Sequence, residues 1–165
     1  MEASAVRERS HYTIRIVSEK PTTDRQKAVT ADGIREWLPK MPFNSLLGIR
    51  LHRLHKDGVT ICCDVNEKLL NGAGVLHGGV TATLADAAVG LATNRHYNGR
   101  PITTIELKIN YFRPLPLGGR VYARAKLLRT GATLSVGEVE IRDAKKNLAG
   151  FAIVTYMLLD TKTSR

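Results

Sequence analysis

Cysteine is scarce in this chain: of 165 residues only Cys62 and Cys63 are cysteines, and they are adjacent. That excludes a disulfide-stapled fold. With neither a CxxC pair nor a Cys/His cluster, a bound metal has no support. In a strand the two thiols would point to opposite faces, and we read them as reduced thiols of a cytoplasmic protein. Long apolar runs are absent too: no stretch of about 18 apolar residues occurs, so no membrane-spanning helix is expected. The first ten residues mix both charges and lack the apolar core of a secretory signal.

Aromatic residues amount to 5%, and acids are outnumbered, 15 Asp and Glu against 25 Lys and Arg, for a formal net charge of +10. So basic a chain calls for an anionic partner. Nucleic acid is the obvious one, but its usual companions are missing: aromatics are few, and no recognition motif or basic helix is visible. A membrane-surface helix is missing as well, because the one long helix is apolar on nearly every side.

What is present is 43% hydrophobic residues, which excludes disorder of the whole chain. The length suits one domain that buries roughly 70% of its unfolded surface. Residues 1–40 hold eight basic and six acidic residues, against 17 and nine in the remainder, so the excess charge belongs to the folded body. We read 1–40 as an N-terminal extension, polar over 1–30 and ending in a short helix. Asp32 caps that helix, and Ile34, Trp37 and Leu38 share a face. Residues 41–165 form the domain. Phe43, Leu46 and Leu47 make an apolar turn before Gly48.

Strands are expected over 49–56 and 59–66, joined at Asp57-Gly58, a strong hairpin signal. A loop over 67–76 leads into an alanine-rich helix from Gly78 or Gly79 to His96. Val80, Leu84, Ala87 and Leu91 form its stripe, and with almost no charge it should be buried nearly all round. Four further strands follow at 102–113, 120–128, 133–142 and 148–159. The order predicts an α+β fold, an antiparallel sheet wrapped around one long central helix. One sheet covers such a helix only in part, and dimerisation would supply the rest.

The informative segment runs from Asn71 through His77-Gly78-Gly79 to Asp86. Glycines at a loop-to-helix junction let another molecule approach the backbone. The first helical N–H groups are unpaired and lie at the positive end of the dipole, where one donor to an oxyanion is typically worth about 3–4 kcal/mol. Asp86 is the single acid between Lys68 and Asn94, and it lies about 120° from the apolar stripe, beside Ala82, Val89 and Gly90. An unpaired carboxylate there is costly, so it is either a functional acid or an acid satisfied by backbone or an arginine. The residues alone leave both open. Likewise His77 can be a helix cap, Asn71 a turn residue with Gly72, Thr103 and Thr104 plain strand residues, and Gly78-Gly79 a tight helix entry.

The run His77-Gly78-Gly79 with Asp86 nine residues after the histidine is followed by Thr-Ile-Glu-Leu-Lys-Ile-Asn-Tyr-Phe-Arg-Pro and later Arg-Thr-Gly-Ala-Thr-Leu. Together these resemble the PaaI-type hotdog-fold acyl-CoA thioesterases over about residues 45–159. The resemblance implies a hotdog fold, assembled as a homodimer or dimer of dimers, that hydrolyses acyl-CoA without metal or cofactor. By position, Asp86 matches the catalytic carboxylate and Gly78 the residue whose N–H polarises the carbonyl. Asn71 matches a residue that positions the carbonyl or the attacking water, and His77 the motif histidine. Thr104, or Thr103 if the alignment slips, falls where a hydroxyl assists the carboxylate. Gly79 and Thr103 join the substrate-binding set. The family's site lies between subunits, so Asp86 should face the Gly78 turn of the other copy.

CoA carries a 3′-phosphate and a pyrophosphate, so a basic rim is expected. Its candidates are Arg113, Arg120 and Arg129, the last beside Gly131 in a tight connection; each could equally be a solvated arginine. Two rivals remain. A non-catalytic hotdog module binding acyl-CoA as a sensor or carrier has no need of Asp86. A hotdog dehydratase or hydratase needs a catalytic His paired with an acid, for which His77 is poorly placed.

Overall fold

The computed structural model describes residues 30–160, and the polar extension expected over 1–30 lies, but for Thr30, outside them. Helix α1 (Ala31–Trp37) is capped by Thr30, whose side chain accepts from the Gly33 N–H at 3.1 Å. Asp32, the expected cap, instead sits in the first turn and pairs with Arg35. Ile34 and Leu38 are buried in the core, while Trp37 is exposed. After a 3₁₀ turn at Leu38–Lys40 comes α2 (Pro42–Leu47), with proline in its first turn and Gly48 closing it at φ 67°. That left-handed conformation suits glycine and lets its N–H reach the Asn44 and Ser45 carbonyls. Leu47 turns into the core, but Phe43 and Leu46 stay 58% and 72% exposed.

Strands β1 (Arg50–His55), β2 (Gly58–Asp64), β3 (Ile102–Tyr111), β4 (Arg120–Thr130), β5 (Leu134–Asp143) and β6 (Leu148–Leu158) form one antiparallel sheet in the order β1-β2-β4-β5-β6-β3. Six strands are thus present as expected. The first hairpin, however, turns at Lys56-Asp57, one residue early, because His55 pairs with Gly58. Gly58 is a strand residue: a Cβ there would collide with the Ala125 carbonyl of β4. Its glycine serves close strand approach, and the turn has no use for it.

The sheet curls around α3 (Gly78–His96), which packs on β2, β3, β4, β5 and β6. Its buried residues are Thr81, Leu84, Ala85, Ala88, Val89, Leu91, Ala92 and Thr93. Val80 and Ala87 of the expected stripe are only half-buried, so the sheet-facing side is rotated from that stripe. The expectation of burial nearly all round does not hold within one chain, because a single sheet covers one side. Gly79, Thr83, Asp86 and Gly90, which recur at helical spacing, remain on the less covered side. No described helix is long and apolar enough to cross a membrane.

One irregularity positions the site. Strand β3 lies at the sheet edge and pairs Thr104 with Tyr156 but Glu106 with Thr155, leaving Ile105 as the extra residue of a β-bulge. Alternation therefore changes parity: Ile102 and Thr104 face α3 before the bulge, and Leu107, Ile109 and Tyr111 face it afterwards.

Candidate active site

The loop before α3 is closed by Asn71. Its Oδ1 accepts from the Ala73 and Val75 N–H groups at 2.9 and 3.4 Å, and its own N–H donates to the Val75 carbonyl. Asn71 thus fills the turn role, while its Nδ2 has no partner among the described residues. His77 then caps α3, and its Nδ1 accepts from the Gly79 N–H at 2.9 Å. As an acceptor Nδ1 carries no proton, so the neutral ring holds its proton on Nε2.

Four N–H groups start any helix without an intrahelical partner. Here the His77 N–H donates to the Leu69 carbonyl at 2.8 Å, Gly79 donates to the His77 ring, and Val80 to the His77 carbonyl at 3.0 Å. The Gly78 N–H alone donates to nothing among the described residues. The Gly78 N–H shares its peptide with the His77 carbonyl, which the Val80 and Thr81 N–H groups hold at 3.0 and 3.3 Å and so fix in orientation; the Tyr111 hydroxyl holds the next carbonyl, that of Gly78, at 3.0 Å. The result is one fixed, unused donor at the positive end of the helix dipole.

Two turns along α3, Asp86 projects half-buried between the helix and the β3–β6 edge. Its Oδ1 accepts two hydroxyl protons, from Thr104 at 2.9 Å and from Tyr156 at 2.8 Å. No cation pairs with it among the described residues. Backbone and arginine therefore do not satisfy this acid. Burial pushes the Tyr156 phenol well above its ordinary range; the hydrogen bond with Thr104 opposes this, and the charge of Asp86 and the bond to it add to the rise. The phenol stays protonated and donates.

Two hollows flank the start of α3. One, of about 340 Å³, is lined by Asn71, Gly78, Thr81, Tyr111, Phe112 and Arg113. The other, of about 500 Å³, is largely apolar, lined by Phe43, Leu46, Leu47, Leu69, Leu70 and Val80 with His77, Gly79 and Thr83. A third of about 560 Å³ lies at the far end of α3, among Lys56, Arg95 and His96, and contains none of the expected site residues.

The structure therefore groups Asp86 with Thr104; His77 with Gly78 and Gly79; and Asn71 with Gly78 and Arg113. It separates the rest. Thr103 faces away from α3, beside Met157. Arg120 is committed to Asp64, which it shares with Arg50 at 2.5 Å each. Arg129 is exposed near the end of β4. Gly131 serves the following turn, its N–H bonded to Leu134 and its carbonyl to the Tyr97 hydroxyl. Sequence reading missed Tyr156. The available signal was a tyrosine in the inward register of Ala152, Val154 and Leu158, where a buried phenol needs a polar partner.

Residues 73–149 match the model of the thioesterase superfamily. The medium/long-chain acyl-CoA thioesterase YigI of Escherichia coli is 32% identical over 135 residues, an alignment covering 72% of this chain and 86% of YigI. The chain belongs to the thioesterase superfamily. It is a thioester hydrolase with an α+β hotdog fold, like two solved members. A mutant form of the phenylacetic acid degradation protein PaaI from Thermus thermophilus is 30% identical, covers 72% of this chain and 99% of its own, and superposes with a TM-score of 0.66. A thioesterase from Haemophilus influenzae is 25% identical, covers 82% and 94%, and reaches 0.75. In this thioesterase the matched span includes the capped helix start, Asp86 and the bulged edge strand.

Proposed function

We propose that this thioesterase hydrolyses acyl-CoA, with Asp86 as its catalytic carboxylate and the Gly78 N–H as its oxyanion donor. The observation that carries this reading is the uncompensated acid. A carboxylate held on a helix face by neutral hydroxyls alone, with no cation, makes poor sense as a structural device. In one course Asp86 takes a proton from water as the water oxygen attacks the thioester carbon. In the other Asp86 itself attacks, giving a mixed anhydride that water then opens. In both, the carbonyl oxygen gathers negative charge against the Gly78 N–H and the helix dipole. The C–S bond breaks, CoA departs as thiolate and takes up a proton, and the acid is released.

Asp86 and the Gly78 turn of one chain are two turns apart on the same helix, which supports a homodimer, or dimer of dimers, in which Asp86 meets the partner subunit's Gly78 turn. Asn71 Nδ2, unpartnered among the described residues at the groove of Gly78, suits positioning of the carbonyl or water. The apolar hollow of Phe43, Leu46 and Val80 suits an acyl chain. Among the basic candidates Arg113, which lines the Gly78 groove, is best placed for a CoA phosphate. Arg120 already serves Asp64.

Thiol release from a panel of acyl-CoAs tests this. Wild type should free CoA, and Asp86→Asn should lose roughly a hundred- to ten-thousandfold in rate with its assembly unchanged. Retention of most activity would overturn the assignment. Acyl-CoA binding by the wild type without thiol release would favour a sensor or carrier.

A further inference from the structure

We infer that Tyr156 is a positioning residue for Asp86: with Thr104 it pins one carboxylate oxygen and leaves the other to meet the substrate. The inference rests on the catalytic role proposed for Asp86. Both hydroxyl bonds, 2.9 Å from Thr104 and 2.8 Å from Tyr156, end on Oδ1. Among the described residues Oδ2 receives none. The phenol's one proton is shared with the Asp86 carbonyl at 3.0 Å, so Tyr156 grips both the side chain and the backbone of the residue it orients. A carboxylate rotates freely about its last bond unless its oxygens are distinguished, and two donors on one oxygen distinguish them.

The tyrosine is itself held. Tyr156 is 6% exposed, and Gly90 leaves the space its hydroxyl fills. A Cβ at Gly90 would lie 2.5 Å from that oxygen and 3.0 Å from Cζ. The bulge at Ile105 serves the same arrangement from the other side. It permits Thr104 to face α3 while Tyr111, an odd number of residues later, also faces it and holds Gly78. A glycine, a bulge and two hydroxyls thus converge on one oxygen atom.

Tyr156→Phe removes only the hydroxyl and keeps the ring. It should lower kcat roughly tenfold with KM little changed, since the lost bond orients the reacting group and does not bind substrate. Gly90→Ala, which pushes the intact phenol away from Asp86, should give a comparable kcat loss. Tyr156→Phe combined with Thr104→Val should lose more than the product of the single losses, because one remaining donor still pins Oδ1. If Asp86→Asn is inactive while Tyr156→Phe and Gly90→Ala both keep wild-type kcat, this inference fails and the role of Asp86 stands. An active Asp86→Asn removes the catalytic reading itself. Should Tyr156→Phe not fold, Gly90→Ala decides alone.

Discussion

Asp86→Asn has a second consequence, on stability, that separates a structural carboxylate from a functional one. The amide carbonyl can accept the Thr104 and Tyr156 protons where Oδ1 now does, so the geometry survives and only the charge is lost. A hydroxyl bound to an ionised acceptor contributes about 1 kcal/mol more than one bound to a neutral acceptor, so two weakened bonds cost about 2 kcal/mol. Against this stands the desolvation of the ion. It reaches several kcal/mol for a buried charge, and for half-buried Asp86 about 2 kcal/mol is a fair share of it. No cation among the described residues offsets that cost. The two effects nearly cancel. Urea unfolding of Asp86→Asn should give a stability within about 1 kcal/mol of wild type at unchanged m, while thiol release collapses. A variant destabilised by more than about 2 kcal/mol would show that the charge holds the fold together, and the reasoning from an uncompensated acid would be wrong.

Gly137 lets β5 approach α3: a Cβ there would lie 2.8 Å from Val89 Cγ1 and 3.2 Å from the Lys126 carbonyl. Gly137→Ala should cost about 1–3 kcal/mol by overpacking, and Val89→Ala about 2 kcal/mol by leaving a void. The double variant in urea should be more stable than their sum implies, and strict additivity would refute the contact. Hydrogen bonds from Arg120 and then Arg50 hold the Asp64 carboxyl below the usual carboxylate range. A depressed folded value means the stabilisation is present above the unfolded value, near about pH 4, and is lost as pH falls through the folded one. Asp64→Asn should therefore cost under about 1 kcal/mol at pH 7, since the group is half exposed. Its gap from wild type should close in acid, and a gap that widened there would contradict the pairing. Burial pushes the Cys63 thiol up to about 11 and that of Cys62 upward as well. The folded protein should react slowly with a thiol reagent at pH 8 and release both thiols on unfolding. Rapid reaction of the native state would contradict the burial.

Local chemistry made much of this protein legible. The alanine-rich run from Gly78 to His96, the hairpin near Asp57-Gly58 and the alternating segments after Asn98 predict the helix and strands, because period and turn residues are properties of neighbours in sequence. The pairing of Thr104, and not Thr103, with Asp86 needed the fold. A bulge adds one residue to one strand and reverses which side chains face inward, and nothing in Thr-Thr-Ile-Glu says where that residue goes. Gly58 misled for a related reason. Glycine beside aspartate reads as a turn, yet here it relieves a contact with Ala125 from a strand more than sixty residues away.

By itself the sequence determined that an unaccompanied acid lies on a helix opened by His77-Gly78-Gly79, with most of the positive charge in the body of the fold. Tertiary structure decided what that acid touches. Tyr156 reaches Asp86 across seventy positions only because β6 lies beside the edge strand and Gly90 yields the space, and Arg120 is drawn to Asp64 by strand register. Spacing along a chain sets which residues share a face; the packing of one element on another sets which faces meet, and that depends on every side chain between them.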